Sequence, residues 1–335
     1  MRENVNQLIT PTSTEEEVLF TNLRASCWED FCGQDKIKKA LKIGTKAAKK
    51  RHEALEHTLF YGPPGLGKTT LAHLIAKEMS SNIRVSSGTV LTKAGDLAAI
   101  LTSLEANDVF FIDEIHRLPK VVEETLYPAM EDFALDLVIG KGPAARTVRI
   151  DLPPFTLVGA TTKFGALTGP FRDRFGLTYR LQLYAEPELM VIINQAAKKL
   201  SFPLDEPSAQ LIARRGRGTP RIALKLLKRV RDFAQVECAN QVNLTITKQA
   251  LSLLDVDSLG LTAADRFLLQ TIAHKFAGGP VGLTTIAAAT NEDEGTIAEV
   301  IEPYLLQIGF IQKTPKGRIL TALAQKHLGK NTCHS

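Results

Sequence analysis

Residues Gly62 to Thr69 read Gly-Pro-Pro-Gly-Leu-Gly-Lys-Thr, and this string restricts the fold more than any other stretch of the chain. Two glycines lie five apart, followed by Lys68 and the hydroxyl of Thr69. Glycine lets the backbone turn its N–H groups onto anionic oxygens, Lys68 reaches β- and γ-phosphates, and Thr69 can hold Mg²⁺. Such a loop works only between a strand and a helix. The apolar residues before it, His57–Tyr61, read as a strand. Thr70–Lys77 after it read as a helix whose N-terminus favours phosphate. The expectation is a parallel-sheet α/β domain that binds a nucleoside triphosphate.

The remaining organisation follows from periodicity. From Leu23 to Leu183 short apolar runs alternate with amphipathic stretches, and the ATP-binding domain is set at residues 21–183. Asp108–Ile112 and Phe155–Ala160 read as further central strands. Residues 184–257 turn helical. In Pro220–Ala234, residues Ala223, Leu226, Leu227, Val230, Phe233 and Ala234 share one face, with Lys225, Lys228, Arg229 and Arg231 elsewhere. This gives a small all-α lid domain. In residues 258–330, three helical stretches (Ala263–Phe276, Thr284–Thr290 and Glu294–Gln307) precede a hairpin turning at Thr314–Gly317. Three helices and a hairpin spell a winged helix. An N-terminal arm, residues 1–20, carries Glu15, Glu16 and Glu17 and lacks the apolar core of a secretory signal.

Composition excludes other classes. No apolar run approaches the roughly 18 residues of a membrane span. The four cysteines, Cys27, Cys32, Cys238 and Cys333, show no zinc spacing, so reduced thiols in a cytoplasmic protein are expected. A net charge of +5 permits nucleic-acid binding without demanding it.

Beyond the loop, Phe110–Ile112 run into Asp113 and Glu114, an apolar strand ending in two carboxylates. The first can hold Mg²⁺ and the second can polarise the attacking water; the bland alternative is a pair of helix caps. Thr161-Thr162 end the next strand, where a hydroxyl could touch the γ-phosphate or serve merely as a turn. Arg174 could stabilise charge on a phosphoryl group at a subunit edge, or form a surface salt bridge. Arg221 opens the basic helix behind Pro220, where it could lean over a nucleotide. Phe133–Leu152 alternates as an inserted β-hairpin turning at Gly140–Pro143. One of its faces either packs on the core or is exposed as a partner site. His116 completes the string Asp-Glu-x-His, without an assigned role.

With these residues in place, the chain resembles AAA+ ATPases, and more narrowly the RuvB family of Holliday-junction branch-migration motors. The resemblance runs from about Leu23 to Leu328. It is carried by residues 62–70, 111–118, 126–133, 142–146, 217–221, 278–282 and 313–318. It implies that Lys68 and Thr69 bind phosphate and Mg²⁺ and that Gly65, Gly67 and Thr70 complete the cradle. Asp113 and Glu114 become the Walker B pair, with Asp113 joining Thr69 at the metal. Thr162 becomes sensor 1, Arg174 a finger acting on a neighbouring subunit, and Arg221 sensor 2. Leu23, Arg24, Glu131, Asp132, Phe133 and Tyr184 fall where the family lines its nucleotide site. Hairpin 133–152 falls where the family docks on RuvA. Lys313 and Arg318, with Lys316 between them, fall at wing positions facing DNA. The resemblance also implies a homohexameric ring on duplex DNA and indirect cooperation with the RuvC resolvase. It places the chain in homologous recombination, DNA repair and the SOS response to DNA damage. Three positions depart from the family: Ala25-Ser26 where proline is usual, Lys163 where arginine is usual, and Glu294 where many relatives carry a basic DNA contact. Two readings stay open beside it: another AAA+ motor such as a clamp loader or protein remodeller, and a nucleotide-gated DNA-binding module.

Overall fold

The structure is a computed structural model that describes residues 23–139, 146–237 and 242–331. The N-terminal arm, Cys238, Cys333 and the turn at Gly140–Pro143 lie outside the described residues. The chain divides into two compact units. The first takes residues 1–192 with Thr219–Arg221, and the second takes the remainder.

The first unit is built on a five-stranded parallel sheet. Its strands are β1 (Thr58–Tyr61), β2 (Ile83–Ser87), β3 (Val109–Asp113), β6 (Thr156–Thr161) and β7 (Leu177–Arg180), in the order β2-β3-β6-β1-β7. The three expected central strands are the three central strands. All six residues of β6 are buried, and β1 and β3 are buried except at their last residues. Continuous apolar runs of this kind suit a sheet covered on both faces. The sequence reading missed β2 and β7. Both are edge strands, with alternating or mixed exposure and polar residues such as Arg84, Ser86, Thr178 and Arg180. An edge strand needs only one side of its ladder paired and carries no long apolar run.

Because β6 sits between β1 and β3, the carboxyl ends of all three strands come side by side. Tyr61 pairs with Thr161, and Ser87 pairs with Asp113. A parallel sheet therefore delivers residues 62, 113–114 and 161–162 to one edge. Under that edge Phe110, Ile112, Leu157, Leu59 and Phe171 are fully buried. Each such side chain contributes about 1.5–3 kcal/mol, so the strand ends are rigidly placed.

The inserted hairpin is formed by β4 (Ala134–Ile139) and β5 (Arg146–Asp151), antiparallel from Ala134↔Asp151 to Ile139↔Arg146. Its base is in the core, with Leu135 and Leu152 buried. Further out, residues 146–149 are exposed, and Val148 is an exposed apolar side chain.

The second unit contains the helices Glu206–Arg215 and Leu244–Leu253, the main part of Pro220–Val236, and the C-terminal segment. Asp205 and Asn243 cap two of them by accepting the N–H of Ser208 and Ile246 at 2.9 and 3.1 Å. The long helix buries Ala223, Leu226, Leu227, Val230 and Ala234, the stripe read from its period. Downstream come helices Ala263–Lys275 and Leu283–Thr290, and a third helical run with a π-turn at Ile297–Ile301 between Glu294–Thr296 and Glu302–Gln307. Strands β8 (Ile311–Thr314) and β9 (Gly317–Leu320) pair antiparallel as the wing. A final helix, Ala322–Asn331, was not anticipated. Gly317 is at φ 130, and a Cβ there would meet the Val281 carbonyl oxygen at 2.4 Å, so the wing turn requires glycine.

Candidate nucleotide site

The loop after β1 has the backbone its sequence demands. Gly65 and Gly67 adopt φ 78 and 98, in the left-handed region that only glycine enters freely. Both are also crowded. A Cβ on Gly65 would lie 2.8 Å from side-chain carbons of Thr219 and Arg221, and one on Gly67 would lie 3.2 Å from the Phe31 ring. Helix Lys68–Met79 starts at Gly67, which has no side chain to cap it. The N–H groups of its first turn therefore have no partner within the helix, the arrangement that receives an anion.

Lys68 is buried. Its Nζ donates to the carbonyls of Gly62 and Pro63, both at 2.9 Å, so it stands folded over its own loop. Burial pushes its pKa down, while Asp113 and Glu114 oppose the shift. Burial pushes the Asp113 carboxyl up, against the backbone N–H of Glu114 at 2.9 Å and the charges of Lys68 and Arg221. The electrostatic coupling places Lys68, Asp113, Glu114 and Arg221 around one space. The backbone N–H of Arg221 reaches the Gly65 carbonyl at 3.4 Å. Tyr184 donates its hydroxyl to the Leu66 carbonyl at 3.1 Å and packs beside Gly33. Burial pushes the pKa of His73, on the helix after the loop, down, and the charge of Arg24 adds to the shift.

Glu114 adopts the left-handed conformation, φ 46, ψ 45. Its carbonyl oxygen presses on Gly88, where a Cβ would sit 2.4 Å away. Its Oε2 accepts the Thr162 hydroxyl proton at 3.1 Å and lies 3.2 Å from His116 Nδ1. The Gly62 N–H bonds the Thr161 carbonyl at 3.2 Å, which ties the loop to this strand end. Phe31, Thr219, His116 and Thr161 were not among the expected site residues. His116 had left a trace in the sequence through its spacing from Asp113, and Thr161 as one of the two hydroxyls that end its strand.

Two groups of expected residues are elsewhere. Glu131, Asp132 and Phe133 do not line this chain's own loop. The Met130 carbonyl meets His57 Nε2 at 3.0 Å, and His57 precedes β1. Phe133 packs edge-on against His57 and Phe155, and its carbonyl accepts the Leu152 N–H at 2.7 Å. Asp132 pairs with Arg149 of the hairpin at 2.8 Å. These residues occupy the amino-terminal edge of the sheet, a strand length away from Gly62 at its carboxyl edge. Arg174 is with them. Its Nη2 lies 3.0 Å from Glu131, its Nη1 donates to the Pro170 carbonyl at 2.7 Å, and its guanidinium stacks 4.2 Å from the Tyr127 ring centre.

In the wing, Lys313 and Lys316 are exposed. Arg318 is not presented like them. Its Nε and Nη2 donate to Glu302 at 2.5 and 3.1 Å, with side chains 11% and 3% exposed. Lys313 reaches the same carboxylate only at 3.8 Å. Arg318 is thus engaged by a buried acid, unlike the two exposed lysines of the wing.

The cradle fits a nucleoside triphosphate, by its glycine conformations and uncapped helix start. Among the described residues no cluster of three or more His, Cys, Asp or Glu could hold a metal on its own. No helix among the described residues is long and apolar enough to cross a membrane.

Comparison with known proteins is consistent along the chain. Residues 23–181 match the Holliday junction DNA helicase RuvB P-loop domain, residues 184–257 the RuvB AAA lid domain, and residues 258–329 the RuvB C-terminal winged helix domain. Among solved structures, the Thermotoga maritima RuvB Holliday junction branch migration motor superposes with TM-score 0.83 at 50% identity, covering 92% of this chain and 98% of that one. A mutant of the Thermotoga protein gives TM-score 0.84 at 50% identity, over 91% and 98% of the two chains. With its P-loop, parallel sheet, lid and winged helix, the chain belongs to the RuvB family of Holliday junction branch-migration motors, which are P-loop ATPases.

Proposed function

We propose that this chain is an ATP-driven translocase on duplex DNA that moves four-way junctions as a homohexameric ring. A RuvA-type junction-binding protein docks on hairpin 133–152, and RuvC acts downstream. The setting is homologous recombination and repair in the cytoplasm, within the SOS response. One observation carries the multi-subunit reading: Arg174 lies at the opposite edge of the sheet from this chain's own phosphate loop, beside Glu131. A finger so far from its own loop completes a site only on another copy of the chain. Glu131, Asp132 and Phe133, beside it, belong to the same outward face.

The roles follow from placement. Lys68 exchanges its two carbonyl partners for phosphate oxygens. The first-turn N–H groups and Thr70 hold the phosphates. Thr69 and Asp113 would hold Mg²⁺, which neutralises phosphate charge when bound. Glu114 accepts the proton of the attacking water, Thr162 orients that carboxylate, and Arg221 leans over the nucleotide from beside Gly65. Tyr184, Leu23 and Arg24 border the site. Lys313 and Lys316 offer the wing's charge to backbone phosphates, which makes binding independent of base sequence and sensitive to salt. Glu294 adds a negative charge where many relatives hold a base.

The test is branch migration of a synthetic four-way junction with ATP, with and without the junction-binding partner. Subunits carrying Arg174→Ala are then mixed with subunits carrying Glu114→Gln. Each homogeneous preparation should be inactive in ATP hydrolysis and the mixture partly active, because a wild-type Arg174 then meets a wild-type Glu114. A mixture as inactive as its components, with rings visible by sedimentation, refutes a finger acting between subunits.

A further inference from the structure

Helix Lys120–Glu131 turns Glu123, Tyr127 and Glu131 to one face, because residues four apart on a helix lie one above the next. Beside that face lies the short helix Gly169–Asp173, which ends directly before Arg174. Glu123 is buried, and its Oε1 accepts two hydrogen bonds: from the Tyr127 hydroxyl at 2.6 Å and from the Thr168 hydroxyl at 2.5 Å. Thr168 is also the cap of the short helix, accepting the Phe171 N–H at 3.4 Å. Phe171 is fully buried, with its ring centre 5.9 Å from that of Tyr127. One carboxylate oxygen thus ties the Tyr127 ring to the start of the helix that leads into Arg174.

The Arg174 guanidinium carbon lies over the Tyr127 ring, 4.2 Å from its centre. A ring face attracts a cation out to roughly 6 Å. The other restraints on this side chain are few. Its Nη1 donates to the Pro170 carbonyl at 2.7 Å, and its Nη2 stands 3.0 Å from Glu131, whose side chain is exposed and therefore screened by water. Its Nε is buried and has no hydrogen-bond partner among the described residues. A guanidinium recognises phosphate through its N–H donors. Contact with a ring face holds the cation in place and uses none of those donors.

We propose that Tyr127 is a positioning residue for the finger: its ring face, fixed by Glu123, holds the Arg174 guanidinium in place for the γ-phosphate of a neighbouring subunit's nucleotide. The proposal rests on the reading of Arg174 as a finger acting between subunits. No bond is made or broken at Tyr127, whose hydroxyl proton stays in its hydrogen bond to Glu123. Its contribution is the place and orientation of a charge. Tyr127 therefore acts on the site of another copy of the chain and not on its own.

The full chain is tested as Tyr127→Leu, Tyr127→Phe, Arg174→Ala and the double variant Tyr127→Leu with Arg174→Ala. The readouts are kcat and KM of DNA-stimulated ATP hydrolysis and the thermal midpoint. Tyr127→Leu should lower kcat on the order of 100-fold, the effect of a small misplacement of a reacting group, with KM for ATP little changed. Tyr127→Phe keeps the ring and loses only its tie to Glu123, so kcat should fall roughly 10-fold. The double variant should be no slower than Arg174→Ala, since Tyr127 acts through Arg174 alone. Tyr127→Leu subunits mixed with Glu114→Gln subunits should regain activity, because a well-held Arg174 then meets an intact Glu114. Mixed with Arg174→Ala subunits they should regain none. Wild-type kcat in Tyr127→Leu overturns the proposal, as does a further loss in the double variant or rescue by Arg174→Ala subunits. So does failure of the Glu114→Gln mixture where Arg174→Ala with Glu114→Gln recovers, since the damage then lies in the subunit's own site or fold. If Tyr127→Leu does not melt cooperatively, Tyr127→Phe decides in the same mixtures, and wild-type kcat there overturns the proposal. If Arg174→Ala with Glu114→Gln does not recover, the finger reading itself falls and takes the role of Tyr127 with it.

Discussion

Arg318→Ala separates a structural cation from a DNA-facing one. In the wing the Arg318 guanidinium makes two hydrogen bonds to Glu302, and both side chains are nearly excluded from water. Removing the arginine leaves a buried carboxylate with only Lys313, at 3.8 Å and itself 59% exposed, as compensation. Breaking a buried ion pair by deleting one partner costs about 3–5 kcal/mol, because the remaining charge stays desolvated. A domain of 60–100 residues loses about 4–8 °C of Tm per kcal/mol, so the winged domain should melt on the order of 12 °C or more below wild type. Differential scanning calorimetry of the full chain, followed by proteolysis of the wing, measures this. DNA affinity should fall with the fold, while Lys313→Ala and Lys316→Ala should leave Tm in place and each lower the salt slope of DNA binding by about one. The double replacement Arg318→Met with Glu302→Leu should recover much of the stability, since an apolar pair of similar volume carries no stranded charge. An Arg318→Ala protein with wild-type Tm and a salt slope reduced by one would refute the reasoning and return Arg318 to the DNA interface.

Gly65→Ala should abolish ATP binding without unfolding the chain, measured by analogue fluorescence and by melting. The new Cβ would fall 2.8 Å from Thr219 and Arg221 at a φ of 78. Asp113→Asn should raise the stability of the nucleotide-free protein at neutral pH while ending hydrolysis. Burial raises the Asp113 pKa above 3.8, so the stability contributed by this group is present below the unfolded value and lost as pH rises through the folded one. The Tm gap between variant and wild type should therefore widen from pH 4 to pH 7, and a constant gap contradicts the assignment. Phe133→Ala should destabilise the first unit by about 3 kcal/mol, given its packing on His57 and Phe155. It should leave nucleotide affinity of isolated subunits unchanged; a large loss there would place Phe133 at its own chain's site after all.

The sequence determined the elements whose chemistry is local. Gly62–Thr69 needs a strand before it and a helix after it, because glycine conformations and uncapped N–H groups make the cradle. Asp113 and Glu114 at a strand end, and the stripe of Leu226, Leu227 and Val230, are likewise readable from period and spacing. The three central strands stood out because burial on both faces demands continuous apolar residues. The edge strands β2 and β7 did not stand out, because half of each faces polar surroundings.

Tertiary structure alone decided which of these residues meet. Insertion of β6 between β1 and β3 brings Thr161 and Thr162 to Glu114, 48 positions apart along the chain for the Thr162 contact. Strand order in a parallel sheet is set by crossover connections, and no local pattern encodes it. The same order sends Glu131, Phe133 and Arg174 to the far edge of the sheet, away from this chain's own phosphate loop. In the wing a basic residue pairs with Glu302, sixteen positions earlier, a buried acid to which Arg318 makes two hydrogen bonds while Lys313 reaches it only at 3.8 Å. A one-dimensional pattern names the charge, and only packing in three dimensions shows whether that charge faces solvent or another side chain.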